Sequence, residues 1–389
     1  MTCQHVRFCR SSLPPVSMHV LSPAVPSAGG RQLLDYLFKA GVQTQAALPR
    51  ALGLSQPSVA RLLQGFAQSD LVRLSARAPE GRGNPSVDVQ LNADHAFAFG
   101  ISLMGDALAM ALLDLTGTVR AQRRAPMPSM RRECVLAQMR TFAEELLVDA
   151  GVARKRLLGA GVGISAFFSG QGGQMVGPPA LEDWTGVELV PIFSDALGMP
   201  VLIENDGATA AVAESLQGVG RDCADFIYLH LTNGFGGGII SGGRLLRGYR
   251  GNAGEFGGIW TVSGLAYPNL DALLACARAA GSDVATVEQL LSDISVTTPG
   301  VEDWLALAQE PFARLCSILA YSLDPQMLVI GGRLPTSLTA ALVARLQIPR
   351  APNRHGLAPP LPELRATRVQ GDAVMLGAGL LPLQRAFFV

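Results

Sequence analysis

The chain has 389 residues, more than one hydrophobic core usually serves, so two or three domains are expected. Hydrophobic residues make up 49% and charged residues only 16%, with a formal net charge of zero. Such a composition is that of a globular chain, excludes one that is basic throughout, and requires any phosphate-binding surface to be local.

Residues 1–28 are rich in Ser, Pro and small side chains and read as a disordered tail. Arg7 and Arg10 precede no sustained apolar run before Pro14 and Pro15, so no signal peptide is expected. The six cysteines (Cys3, Cys9, Cys134, Cys223, Cys276 and Cys316) form no C-x-x-C pair and read as small buried thiols in a reducing cytoplasm.

Residues 29–92 form the first expected domain. Leu33, Leu34, Leu37 and Phe38 fall on one face of a helix that Gly41 stops. Thr44 is expected to cap a short helix over 45–52, Gly53 to turn the chain, and Ser55 to cap a second helix running past Val59, Leu62, Leu63 and Phe66 toward Gln68. Two strands, 71–74 and 86–91, with a loop between them, add a hairpin and complete a winged helix-turn-helix. From Arg31 to Gln90 seven basic residues stand against four acidic, the local excess that phosphate contact requires. Thr44, Ser55, Gln56, Ser58 and Arg61 are the expected DNA-reading positions, with Arg77 and Arg82 on the wing. A helical dimerisation domain is the alternative.

From residue 96 to 389 strands and helices alternate. The apolar run His95–Leu115 has the length of a membrane span, but Asp106 and Asp114 interrupt it and Gly105 splits it into two strands, so no membrane partner is expected. Val201-Leu202-Ile203-Glu204-Asn205-Asp206-Gly207-Ala208-Thr209-Ala210-Ala211 is a buried strand that ends in three polar residues and enters a helix. Such a strand aims its last side chains into the crevice at its carboxyl end, where α/β proteins bind small ligands. Asn205 suits sugar hydroxyls, and Asp206 suits a general base or a hydroxyl acceptor. The same two residues are equally suited to capping the helix that follows. His230, in mid-strand, reads as a satisfied core or interface histidine, and Trp184 as a packing residue.

Five segments in order carry a resemblance: Gly100–Gly117, the IENDGATAA stretch, Leu229-His230-Leu231-Thr232-Asn233-Gly234-Phe235-Gly236-Gly237-Gly238, Gly251-Asn252-Ala253-Gly254-Glu255-Phe256-Gly257-Gly258, and Leu328-Val329-Ile330-Gly331-Gly332. Over residues 28–389 the chain resembles the repressor, open-reading-frame and kinase (ROK) family, whose regulators place a winged helix before a two-lobed body. The resemblance implies an α/β chain, an N-terminal winged helix-turn-helix followed by a two-lobed actin/ribonuclease-H-like sugar-kinase fold. It also implies that Asn205, Asp206, Glu255 and Asp271 bind sugar, Asp206 at the position of the kinases' base; Asp271 serves equally as an N-cap. The family's phosphate turn is Asp-x-Gly-Gly-Thr, whereas here Ser102, Met104, Gly105 and Asp106 stand in it, which disfavours phosphate and magnesium. The family's zinc ligands are missing: Gly258 replaces a His and Val262–Leu273 contains no Cys, so no metal and no cofactor are expected. The reading is a DNA-binding repressor, not an enzyme, cytoplasmic, a homodimer or tetramer, whose partners are operator DNA and a sugar effector. The alternative is an active ATP-dependent sugar kinase with an accessory DNA-binding head.

Overall fold

Two five-stranded sheets of the same strand order face each other across a pair of helices, and three helices with a small sheet are attached at one end. This computed structural model describes residues 26–76, 87–170 and 173–389. Arg77 and Arg82 therefore lie outside the described residues, as does most of the tail.

The N-terminal unit begins with α1 (Ala28–Ala40), capped by Ser27 and closed by Gly41. A two-residue strand β1 (Gln43–Thr44) follows, then α2 (Leu48–Leu52), α3 (Gln56–Gln68), β2 (Val72–Ala76) and β3 (Val87–Leu91). The strands form an antiparallel sheet in the order β1-β3-β2. Leu33, Leu37, Leu48, Leu52, Val59, Leu63 and Val89 fill the space between helices and sheet. Gly53, at φ 63°, supplies the left-handed residue that turns α2 into α3. Thr44 does not cap α2: its backbone pairs with Asp88 in the sheet, and the helix starts only at Leu48 with Pro49 in its first turn. Ser55 does cap α3, accepting from the Ser58 amide at 3.3 Å.

The first lobe comprises β4 (Phe97–Leu103), β5 (Ala107–Asp114), β6 (Val119–Pro126), α4 (Arg132–Ala150), β7 (Leu157–Ile164), a small ribbon of β8 (Phe167–Phe168) and β9 (Met175–Val176), α5 (Leu189–Leu197) and β10 (Val201–Asn205). Its sheet runs β10-β7-β4-β5-β6. Then α6 (Asp206–Gln217) leads to β11 (Phe226–Leu231), β12 (Phe235–Ser241), β13 (Arg244–Leu246), α7 (Gly257–Ser263), α8 (Leu270–Ala279), α9 (Val287–Asp293), α10 (Val301–Leu323), β14 (Met327–Gly332), α11 (Thr336–Arg345), β15 (Glu363–Ala366) and α12 (Ala373–Phe387). The second sheet runs β13-β12-β11-β14-β15, so each sheet is a three-stranded meander extended by two parallel strands.

Strand alternation explains how the layers stack. On β4, Phe97, Phe99, Ile101 and Leu103 point outward into the core under α4 and α5, whereas the inward positions are the smaller Ala98, Gly100 and Ser102. The small inner face admits α12 at backbone distance: a Cβ on Gly161 would lie 1.9 Å from the Ala378 carbonyl oxygen, and one on Gly100 would lie 2.0 Å from that of Met375. On the other side of the pair, Gly377 of α12 faces Thr209 of α6, and α6 rests on β11 and β12. The glycines of β12 serve this same contact, since a Cβ on Gly238 would meet Ala211 at 2.5 Å. The second lobe hides Ile227, Leu229, Leu231, Leu328 and Ile330 beneath α7, α8, α10 and α11.

Both central helices begin at the cleft between the lobes and end at the N-terminal unit. At the end of α12, Arg31 donates to the carbonyls of Phe388 at 2.7 Å and Arg385 at 2.9 Å, and Phe38 packs on Phe388 with ring centroids 4.7 Å apart. Arg221, just beyond α6, donates to the Lys39 carbonyl. No helix among the described residues is long and apolar enough to cross a membrane.

Candidate functional site

The cleft opens at the carboxyl ends of β4, β10, β11 and β14, where parallel strands stop and their last side chains have no neighbouring strand to face. A cavity of about 540 Å³ lies there, lined by Asp106, Asn205, Asp206, His230, Asn233, Glu255, Asp271 and Arg333 among others. Its size is ordinary for a small-ligand site. The four residues anticipated from sequence, Asn205, Asp206, Glu255 and Asp271, thus line one cavity.

Their individual roles differ. Asn205 is the N-cap of α6: its Oδ1 accepts from the Ala208 amide at 3.0 Å, while Nδ2 donates to the Ala166 carbonyl at 3.1 Å and to Glu255 at 3.2 Å. Capping and cleft lining therefore coincide in one carboxamide. Asp206 is the first helical residue, nearly buried, with Oδ1 accepting from the Gly207 amide at 2.8 Å. A carboxylate there is favoured by the positive end of the helix. Glu255, open to the cleft on one side, is desolvated on the other, and that burial together with the Asp206 charge pushes its carboxyl up to about 7. Asp271 is not an N-cap. Asn269 caps α8, accepting from the Ala272 amide at 3.0 Å, which leaves Asp271 in the first turn to accept from Asn233 at 2.9 Å.

The two turns that face each other across the cleft, 103–107 and 231–235, bond within themselves. The Thr232 amide donates to the Gly234 carbonyl at 3.1 Å and the Gly234 amide to the Thr232 hydroxyl at 3.1 Å, while the Met104 amide donates to the Ala107 carbonyl at 3.1 Å. Between these turns lies Arg333, only 10% exposed, donating to Asp106 at 3.1 Å and Asn233 at 3.0 Å and paired with Glu288. Glu288 also accepts from Arg124 of β6 at 3.1 Å. Asp106 and Arg124 belong to the first lobe, Arg333 and Glu288 to the second, so the cluster ties the lobes together. Sequence reasoning treated Asp106 as a bare negative charge and missed Arg333; a cation directly after Gly331-Gly332 was the available signal.

His230 departs from the expectation of a satisfied core residue. It is 3% exposed and lines both this cavity and a second one of about 570 Å³ behind Arg333, and neither ring nitrogen has a hydrogen-bond partner. Burial lowers its pKa, so the ring is neutral. Trp184 is buried, its indole donating to the Met130 carbonyl at 2.7 Å. Among the described residues no group of three or more His, Cys, Asp or Glu is placed to hold a metal.

In the N-terminal unit, Gln56 and Arg61 are exposed on α3, while Ser58 is half-buried and shares a bond with Ser55. Three of the basic residues counted there are engaged within the molecule: Arg31 on α12, Lys39 with Asp35, and Arg73 with Asp94.

Two lobes of one strand order, a helix pair between them and a carboxylate-lined cleft define a protein of the sugar-kinase-like α/β class. The ROK family model matches residues 98–384, and the chain belongs to that family. It is 26% identical over 377 residues to the uncharacterised protein y4fQ of Sinorhizobium fredii, covering 94% of each chain. It is 28% identical to the xylose repressor of Caldicellulosiruptor bescii over 54% of this chain and 53% of that one, and 28% identical to the N-acetylmannosamine kinase of Citrobacter koseri over 72% and 97%. Among solved structures, a ROK family transcriptional regulator described as a homologue of the E. coli MLC protein superposes with a TM-score of 0.61 at 21% identity, covering 92% of this chain and 95% of that one.

Proposed function

We propose that the chain is a DNA-binding transcriptional regulator, a repressor, whose cleft binds a sugar and whose N-terminal unit is a winged helix reading operator DNA with α3. The observation that carries this reading is the Arg333 cluster. In both turns that would cradle a nucleotide phosphate, the amides of Met104, Thr232 and Gly234 are taken by bonds within the turn, and the space between the turns is occupied by a guanidinium bonded to Asp106 and Asn233. Ligand recognition then remains with Asn205, Asp206, Glu255 and Asp271, and phosphoryl transfer has no seat. Similarity to xylose repressors and to a regulator along nearly the whole chain supports the same view.

The helix pair supplies the coupling. A sugar held between the lobes at the N-terminus of α6 changes how the lobes sit on the helix pair, whose far ends carry α1. A homodimer would present two α3 helices to a two-fold operator, and the sugar acts through its different affinity for the two arrangements of the heads. The test is a gel-shift titration on the operator at fixed salt, with and without each member of a sugar panel, where one sugar should change DNA affinity at least fivefold.

A kinase reading rests on Asp206, which keeps the position and partial burial of a base. ATP-dependent phosphorylation of the same panel should yield no turnover. Turnover abolished by Asp206→Asn would replace the regulator reading with that of a kinase.

A further inference from the structure

Beneath the anticipated sugar contacts, the floor of the cleft holds an imidazole that nothing in the protein satisfies. The last inward-facing residue of β4 is Ser102, and the residue in the equivalent position of β11 is His230, each one place before the leucine that ends its strand. Both are buried and both lack a partner, at Ser102 Oγ and at both ring nitrogens of His230. Unpaired buried donors and acceptors are costly, so a chain that keeps them at matching places in two lobes keeps them for something that enters. His230 is the one of the pair that lines the cavity.

The charge around it sets what can enter. Asp106, Asp206, Glu255 and Asp271 line the cavity, and among the described residues Arg333 is its only cation. That guanidinium is already divided between Asp106, Asn233 and Glu288. The turns offer few donors of their own, since the amides of Met104, Thr232 and Gly234 are already bonded within them. A dianionic phosphate brought here meets carboxylates and no unspent donor charge. A hydroxyl meets acceptors on the walls and, at the floor, an imidazole that offers one N–H and one bare nitrogen.

We propose that the effector is an unphosphorylated sugar, and that His230 is a specificity-determining contact which hydrogen-bonds one of its hydroxyls at the cleft floor. This rests on the regulator reading above and narrows it: the ligand class is a neutral polyol, and the phosphate ester of the same sugar is rejected.

The test uses the full chain. D-xylose, D-glucose, D-mannose, D-galactose and N-acetyl-D-glucosamine are titrated calorimetrically beside the 6-phosphates of the hexoses. The sugar that binds is then compared with its monodeoxy analogues on the unaltered protein, on His230→Ala and on His230→Gln, which restores a donor and an acceptor; melting curves confirm that each variant folds. The 6-phosphate should bind at least a hundredfold more weakly than the free sugar. One deoxy analogue should lose about tenfold on the unaltered protein and nothing further on His230→Ala, with part of the discrimination returning in His230→Gln. A 6-phosphate that binds as tightly as its parent sugar overturns the ligand class, and an alanine variant that keeps the full penalty at every hydroxyl overturns the role of His230. The phosphate comparison needs no variant and stands whichever of them folds. If no sugar of either kind binds, or if binding leaves operator affinity unchanged, the regulator reading itself falls with it.

Discussion

Removing the cation between the two turns should loosen the lobes by an amount that the geometry bounds. At an N–O distance of 3.1 Å the charges of Arg333 and Asp106 stand about 4 Å apart, an attraction of about 4 kcal/mol at an effective dielectric of about 20 and about 1 kcal/mol in bulk water. Arg333 is 10% exposed but Asp106 is 46% exposed, which places the pair near the lower figure. Arg333→Gln also strips a donor from Asn233 and Glu288, so the single substitution should cost more than the pair itself, about 2 kcal/mol. A double-mutant cycle of Arg333→Gln and Asp106→Asn, followed by urea unfolding with a probe in each lobe, should return a coupling of about 1 kcal/mol. In about 1 M salt the screening length falls to about 3 Å and the coupling should drop by half or more. A coupling of zero within error at low salt, or one indifferent to salt, refutes the idea that this ion pair fastens the lobes.

Four further outcomes are expected. Glu255, with its carboxyl raised from 4.5 to about 7, favours the protonated form in the folded chain; stability should therefore be fully present below about pH 4.5, decline as pH rises toward 7 and level off above it, and Glu255→Gln should flatten that slope in urea unfolding across this range. Gly161→Ala forces a methyl to within 1.9 Å of the Ala378 carbonyl oxygen and should destabilise by about 2–3 kcal/mol, and an alanine that melts with the unaltered protein would contradict the close helix–sheet contact. Arg31→Ala removes two bonds to the end of α12; operator affinity should persist while its response to sugar shrinks, read by the same gel-shift titration. Arg61→Ala, on the exposed face of α3, should cost about 1–3 kcal/mol of operator binding and relax preference at one base position, as a binding-site selection would register.

What the sequence disclosed was whatever local chemistry decides. The strand that ends in Asn205 with Asp206 opening the next helix, the turn glycine at 53 and the Ser55 cap follow from propensities acting within a few residues, and the structure has them in place. Where two polar residues compete for one local task, proximity in the chain did not choose between them: Asn269 rather than Asp271 caps α8, because the cap must precede the helix and the chain enters it two residues earlier. Thr44 was assigned to a helix because the pairing that claims it comes from Asp88, far along the chain. His230 and Arg333 were out of reach for the same reason. Their significance lies in which groups of the other elements fail to meet the imidazole or succeed in meeting the guanidinium, and neither is written in the neighbouring residues.

The place of α12 has a bearing on how the molecule is made. Residues 373–387 are the final helix of the chain, yet they cover the inner face of the sheet built from residues 97–205 and carry the anchor for α1 at the opposite end of the sequence. On the ribosome the first sheet must wait, its glycine-lined face open, until the last helix has emerged. Assembly of the lobes and docking of the head thus become a single late event, and a chain cut short before residue 373 loses the element that joins all three parts.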